Sequence, residues 1–162
     1  MSPRFLMSVS AIALLLMSAP ARAEFNVITS IKPVQSLVAA VMQGVGTPGL
    51  IVEATGSPHN YSLKPSKAAE LQSASVVFWI GHELESFLEK PIESLGSNAK
   101  AVSLLDIEGL IKLPPREGNG FDPHMHEGEE VHEEGHEEVD AHIWLDPENA
   151  KRIVNVIAKN PQ

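Results

Sequence analysis

The sequence predicts an α/β fold in which a mostly parallel, four-stranded sheet is flanked by helices. Two observations carry this prediction. Short runs of β-branched and other apolar residues alternate with segments whose apolar residues recur at helical spacing, and Gly- or Pro-rich stretches separate them. Strands that alternate with helices are typical of parallel sheets with helices packed on them. The 162 residues are enough for one domain at most.

The first 23 residues are predicted to lie outside the fold. A basic start precedes an apolar run over residues 5–17, and residues 21–23 (Ala-Arg-Ala) have the small-x-small pattern of a cleavage site. Residues 1–23 are therefore predicted to be a secretory signal peptide, cleaved before Glu24. A membrane anchor is the alternative, but the run is shorter than the roughly 20 residues of a spanning helix. We expect an exported, soluble mature chain.

The first predicted unit is a strand, a helix and a second strand. Residues 25–31 are rich in β-branched side chains, which predicts a strand that a Lys-Pro pair at 32–33 ends. From Val34 the apolar residues follow a helical stripe that stops at the glycines of residues 44–46. Residues 50–52 are predicted to form the second short strand.

A loop and further elements follow. Residues 54–66, "ATGSPHNYSLKPS", are dense in Gly, Pro, Ser and Asn, which predicts a loop. The next helical stripe contains Pro91, which we expect to kink the helix or cut it short. The predicted elements are a short helix over 66–73, a buried strand over 76–80, a helix over 84–95 and a fourth strand over 101–105.

A charged segment, residues 116–140, differs from the rest of the chain. It contains ten acidic residues between Glu117 and Asp140 with no basic residue among them, whereas the rest of the mature chain is nearly balanced in charge. Its few apolar residues cannot offset the entropy cost of ordering, so we expect a disordered loop. Without a basic patch, nucleic acid is not an expected partner.

Four histidines lie among the acids of this loop: His124, His126, His132 and His136. Histidine-rich tracts are typical of metal binding, and a merely solvated linker would not need them. The chain has no cysteine, so a transition-metal site must use imidazole and carboxylate ligands. The loop is predicted to collect metal with low geometric specificity.

Three other histidines lie beside predicted elements. His59 is in the loop after the second strand, at the edge of the sheet where ligands gather in α/β proteins. His142 follows Asp140 by two residues, and that carboxylate could orient its ring, as metal-bound imidazoles usually require. An ordinary exposed histidine is the alternative for each. His82 follows the third strand and is either structural or an outer neighbour of the metal site.

The last predicted element is a helix. After the apolar residues 143–145, Asp146 is a predicted N-cap and Pro147 the first helical residue. Apolar residues then keep helical spacing at Ala150, Ile153, Val154, Ile157 and Ala158. This apolar face is expected to be exposed unless the helix packs back on the sheet domain.

Several motifs occur in a fixed order and carry a resemblance. They are "GSPHNYSLKPS" (56–66), "SASVVFWIGHELESFLEKPI" (73–92), the His/acid loop and "DAHIWLDPENA" (140–150). With these motifs the chain resembles ZnuA, the family of zinc-binding periplasmic receptors of bacterial ABC importers. The resemblance covers essentially the whole mature chain. Related manganese receptors share the first and last motifs but generally lack the His-rich loop, which favours zinc.

The resemblance implies a fold, a site and a location. Such receptors hold a metal between two α/β lobes joined by a long helix, and their first-lobe ligands match His59 and His142. Some members have a glutamate just before the first histidine, where this chain has Pro58. His124 to His136 match an accessory zinc-gathering loop. The implied cofactor is zinc, the implied partner is the membrane permease of a zinc ABC transporter, and the implied location is the periplasm.

The resemblance also implies that the chain is a fragment or a truncated product. Members of the family continue into a second lobe that supplies another histidine and often a carboxylate. Residues 24–162 would then be the first lobe, with 147–162 as the start of the linking helix and the second lobe absent. Zinc usually has four ligands, so the primary site would be half-built.

Other functions remain open from the sequence. A periplasmic zinc buffer or chaperone could act through the His-rich loop alone, and a receptor for manganese or another divalent metal would share the primary site. A zinc hydrolase is the weakest alternative, because no base lies beside the candidate ligands. Residues 132–136 imitate the outer histidines of H-E-x-x-H, but Gly135 and the surrounding acids disfavour the helix which that motif needs. We therefore expect no enzymatic activity.

Overall fold

A computed structural model describes residues 25–53, 56–115 and 139–160 of the chain. The predicted signal peptide and the four loop histidines lie outside these ranges, as does all of the predicted disordered loop except residues 139 and 140. Within the described ranges, no helix is both long enough and apolar enough to cross a membrane.

The sheet has four strands, and all of them are parallel. Their order across the sheet is β2-β1-β3-β4, so the neighbours of β1 are the second and third strands of the sequence. This confirms the predicted α/β class, although each strand is shorter than the predicted segment. The strands are β1 (Val27–Thr29), β2 (Gly49–Leu50), β3 (Val76–Trp79) and β4 (Lys100–Ser103).

Helices and two short 3₁₀ turns connect or follow the strands. We call the turn over Pro58–Asn60 the His59 turn and the turn over Ile143–Leu145 the Trp144 turn. Because parallel strands end at one edge of the sheet, the loops after β1, β2, β3 and β4 all start there. The helices are α1 (Lys32–Val41), α2 (Pro65–Gln72), α3 (His82–Ser94) and α4 (Pro147–Lys159).

One of two predictions about proline was wrong. The first strand does end before the Lys-Pro pair at 32–33, and this pair lies in the first turn of α1, where a missing N–H costs nothing. Pro91 neither cuts α3 short nor stands out as its kink, because the residue with non-helical dihedrals is Glu85 (φ −121°, ψ 52°). Leu88 and Ile92 are buried on either side of Pro91, so packing offsets the hydrogen bond that proline removes.

Helix α4 packs back on the domain. Its apolar residues Ile153 and Ile157 are buried, and the helix contacts α1. The face that the sequence left at risk of exposure is therefore covered at Ile153 and Ile157, whereas Ala150 and Val154 are half-buried and Ala158 is exposed. Burying each such side chain contributes about 1.5–3 kcal/mol, which fixes α4 against α1 and with it the segment that precedes α4.

Candidate metal centre

The His59 turn is held from two sides by the residue that follows it. Tyr61 donates a hydrogen bond from Oη to the carbonyl oxygen of Ile51, just after β2, at 3.2 Å. The Tyr61 ring also packs against the ring of Phe87 in α3, with centroids 5.2 Å apart. These contacts anchor the turn at the carboxyl edge of the sheet while the His59 side chain remains exposed.

His142 is oriented by a neighbouring carboxylate. Asp140 Oδ1 accepts a hydrogen bond from the His142 backbone N–H at 3.0 Å and lies 2.7 Å from His142 Nδ1. Because an ionised carboxylate can only accept, Nδ1 carries the proton and the lone pair is on Nε2. The backbone N–H of Asp140 in turn donates to the carbonyl oxygen of Leu113 at 2.8 Å. His142 is therefore presented with Nε2 available for a metal.

The structure brings the His59 and His142 rings together. Their centroids are 5.9 Å apart. The Trp144 ring also packs against the His142 ring, with centroids 5.2 Å apart. Two imidazoles on one tetrahedral zinc, with Zn–N bonds of about 2.0–2.1 Å, place their centroids roughly 5 Å apart. Small side-chain rotations would thus let both rings bind one ion.

The remaining predicted site residues are placed differently. His82 Nδ1 lies 2.9 Å from Glu89 Oε2 on the exposed face of α3, which favours the structural alternative for this histidine. The loop histidines lie outside the described residues. Across residues 25–53, 56–115 and 139–160, no group of three or more His, Asp or Glu side chains is arranged to hold a metal.

Sequence reasoning missed a buried carboxyl at this edge of the sheet. Glu85 is fully buried, and its Oε2 accepts hydrogen bonds from the backbone N–H groups of Ile80 and Gly81 at 2.9 and 3.1 Å. Burial raises its pKa to about 7, although the nearby Ser30 hydroxyl and the two N–H groups pull the pKa downward. The available signal was its spacing of three residues from Leu88, which puts both on the buried stripe of α3.

The family model and the curated relatives that match this chain point to the same family. The chain matches the family model described as ZnuA, "Zinc-uptake complex component A periplasmic", over residues 27–161. It is 49% identical over 158 residues to the high-affinity zinc uptake system protein ZnuA of Brucella abortus, with 83% of this chain and 47% of the relative covered. For the ZnuA protein of Yersinia pestis the identity is 34%, with 90% and 48% covered. The chain thus spans about half the length of these curated relatives.

Solved structures show the same fold at low sequence identity. A Mn-bound periplasmic metal-binding protein from Candidatus Liberibacter asiaticus superposes with a TM-score of 0.65 at 20% identity, covering 84% of this chain and 44% of that one. Zn(II)-bound AdcA from Streptococcus pneumoniae gives a TM-score of 0.59 at 23% identity, covering 82% and 24%. These matches support the α/β fold that the sequence predicts.

Proposed function

The chain belongs to the ZnuA family of periplasmic components of zinc-uptake complexes, and we propose that it captures Zn²⁺ in the periplasm. Delivery to the membrane permease of an ABC-type zinc importer is the second part of the proposal. Capture and release need only reversible coordination, so we propose no enzymatic activity. Export through the signal peptide at residues 1–23 remains part of the same proposal.

The close approach of His59 and His142 is the observation that carries this proposal. The two histidines come from turns 83 positions apart in sequence, yet their centroids are 5.9 Å apart. Asp140 fixes one ring in the tautomer that leaves Nε2 free, as is usual for metal-bound imidazoles. Zinc usually takes four ligands, so the pair would supply half of the set. Water, or groups beyond the described residues such as those of a second lobe, would complete it.

Zinc is the metal that this donor pair favours. Imidazole suits zinc, whereas Mn²⁺ prefers carboxylate, carbonyl and water oxygens and binds most weakly among the divalent metals of its row. The loop histidines would add a second, weaker class of zinc sites that collects metal near the pair. A manganese receptor is the second candidate, because a Mn-bound protein is among the solved structures that share the fold.

Zinc titrations of the full chain test the proposal. The variants are His59→Ala, His142→Ala and their combination, and a separate variant changes the loop residues His124, His126, His132 and His136 to alanine. The matched control is His82→Ala, because this exposed histidine also pairs with a carboxylate but lies on α3.

We expect three results from these titrations. Each substitution in the His59–His142 pair weakens the tighter class of zinc sites by more than the roughly 10- to 100-fold typical of a residue that only orients a ligand. The loop variant loses weaker sites and keeps the tight one, and the His82 variant matches the unchanged chain. If the loop variant loses all binding and the double variant loses none, the chain is a zinc buffer. Tighter binding of Mn²⁺ than Zn²⁺ would establish the manganese alternative.

A further inference from the structure

Asn149 makes an unusual connection from the first turn of α4. Asn149 is 1% exposed. Its side chain makes hydrogen bonds to both the backbone N–H and the backbone carbonyl of Ile111, 38 positions earlier. Nδ2 donates to the carbonyl oxygen of Ile111 at 2.8 Å, and Oδ1 accepts from the Ile111 N–H at 2.8 Å. An amide offers a donor and an acceptor side by side, whereas an ionised carboxylate of the same size can only accept.

The segment bound by Asn149 is the one on which Asp140 rests. Two residues beyond Ile111, the carbonyl oxygen of Leu113 accepts from the backbone N–H of Asp140 at 2.8 Å. Asp140 then binds both the backbone N–H and the ring of His142. Hydrogen bonds at both ends of residues 111–113, joined by the backbone of this segment, thus connect α4 to the imidazole.

Hydrogen bonds, rather than side-chain packing, hold residues 111–113 in place. The side chains of Ile111 and Leu113 are 49% and 60% exposed, so apolar burial contributes little to fixing this segment. Asn149, by contrast, lies in a helix that is anchored by the buried Ile153 and Ile157. The anchored helix therefore holds this segment through the two hydrogen bonds of the Asn149 side chain.

We propose that Asn149 is a positioning residue for the metal site, which holds residues 111–113 so that Asp140 presents the His142 ring toward His59. This inference rests on the proposed function of His142 as a metal ligand. Loss of the amide leaves the Ile111 N–H and carbonyl without their partner and frees the segment to shift. Asp140 then loses its fixed place, and the ring loses the carboxylate that selects its tautomer.

The test compares Asn149→Ala and Asn149→Asp in the full chain. The aspartate, ionised at the alkaline pH of the measurement, keeps the size and the acceptor but cannot donate to the Ile111 carbonyl, so it separates the loss of one hydrogen bond from the loss of side-chain volume. Ile157→Val is the stability control, because it weakens the packing of the same helix without touching Ile111. Asn155→Ala is the surface control, an exposed asparagine on α4.

The first readout is the tautomer of His142 in the metal-free chain, observed by long-range ¹H–¹⁵N NMR at alkaline pH. The unchanged chain and both controls should show the proton on Nδ1, and both Asn149 variants should shift it toward Nε2. The second readout is zinc affinity in a background without the loop histidines, which should fall about tenfold, the lower end of the range for outer partners of metal-bound imidazoles.

Each outcome decides one of the two ideas. Folded Asn149 variants that keep the Nδ1 tautomer overturn the positioning role, whatever their zinc affinity. A shifted tautomer with unchanged zinc affinity supports the positioning role and instead contradicts His142 as a ligand. If Asn149→Ala does not fold, Asn149→Asp carries both measurements. A tautomer shift in Ile157→Val as well would show a general effect of stability and would also overturn the proposal.

Discussion

The carboxyl groups of Asp140 and Glu85, both at this edge of the sheet, have opposite surroundings. Asp140 is 30% exposed and bonds an imidazole, so its charge is useful to a cation bound nearby. Glu85 is fully buried among apolar side chains with only backbone N–H groups and Ser30 around its carboxyl. Neither Glu85 Oε1 nor Ser30 Oγ has a well-aligned hydrogen bond, although the two groups are close enough for the hydroxyl to lower the carboxyl's pKa. One carboxyl orients the His142 ring, and the other binds the backbone after β3 at a cost in stability that depends on pH.

Asp140→Asn should weaken zinc binding while leaving the fold intact. The amide oxygen can still accept from His142, but the negative charge that strengthens the imidazole as a ligand is gone, so we expect about a 10- to 100-fold loss of affinity. Competition with a chelator of known affinity measures the change. Glu89→Gln is the matched control, since it makes the same change beside His82. Equal affinity for the Asp140 variant and the unchanged chain would contradict the orienting role.

Glu85→Gln should reduce the fall in the free energy of unfolding that the unchanged chain shows as the pH rises. The folded chain holds the Glu85 proton more tightly than the unfolded chain, because burial raises the pKa from 4.5 to about 7. The stabilising contribution is therefore complete below about pH 4.5 and disappears as the pH rises through 7. The difference amounts to roughly 3 kcal/mol in the free energy of unfolding.

Urea denaturation at about pH 5 and about pH 8 measures this effect. The unchanged chain should lose more stability between the two pH values than Glu85→Gln, whose amide does not ionise. Glu93→Gln, at an exposed position of the same helix, should behave like the unchanged chain. Parallel pH dependence of the unchanged chain and the Glu85 variant would show that the buried carboxyl keeps its ordinary pKa.

Each short element near the site is fixed by a contact at its end. The His59 turn relies on the Tyr61 ring and hydroxyl, and α3 starts where Glu85 binds the backbone after β3. Helix α4 is capped by Asp146, whose Oδ1 accepts from the backbone N–H groups of Glu148 and Asn149 at 2.8 and 3.0 Å. These end contacts decide where each element begins, and so decide which side chains reach the metal site.

Asp146→Ala should lower the free energy of unfolding by about 1 kcal/mol, because the first turn of α4 loses its capping acceptor. Asp146→Asn should retain most of that free energy, since the amide oxygen still caps the helix. Urea denaturation of the three chains measures the difference. If alanine and asparagine were equally destabilising, the negative charge rather than the cap would be the important feature.

The whole domain is organised around one edge of a parallel sheet. The order β2-β1-β3-β4 puts the loops after all four strands at that edge, and α4 follows the Trp144 turn and packs on α1. His59 and His142, which are 83 positions apart in the sequence, meet there. Binding of a metal at this point should be coupled to the stability of the domain as a whole.

Zinc should raise the stability of the chain, and a chelator should reverse the change. A ligand that binds only the folded state adds about 2.7 kcal/mol when its free concentration is 100 times the dissociation constant. Thermal unfolding with zinc, and then with excess chelator, measures the effect. The combined His59→Ala and His142→Ala variant should respond much less. An undiminished response in that variant would assign the stabilisation to other histidines.

Local chemistry made much of the fold predictable. The four strands follow from β-branched and apolar runs, and the cap and first residue of α4 follow from an Asp-Pro pair, as the structure confirms. The same local logic failed at Pro91, where packing of Leu88 and Ile92 overrides the preference of proline. Local sequence preferences predicted where α4 starts, but tertiary packing determines whether Pro91 interrupts α3.

The site was only partly predictable, because its geometry depends on distant partners. The sequence indicated that His59, His142 and Asp140 were chemically suited to a metal site. The approach of the two rings to 5.9 Å depends on the strand order and on the hydrogen bonds that hold Asp140 and His142, which the sequence does not report. The roles of Glu85 and Asn149 were missed. Asn149 bonds a residue 38 positions away, and no periodicity in the sequence reports such a contact.

The hydrogen bond between Leu113 and Asp140 has a consequence for protein engineering. It joins Leu113 to Asp140, between which 26 residues run, so the two ends of this segment are held side by side. Exchanging a segment whose ends are already pinned together should not move the structure on either side. A fluorescent or other domain with adjacent termini could therefore replace the residues between them, close to His142, without disturbing the fold around the two anchor points.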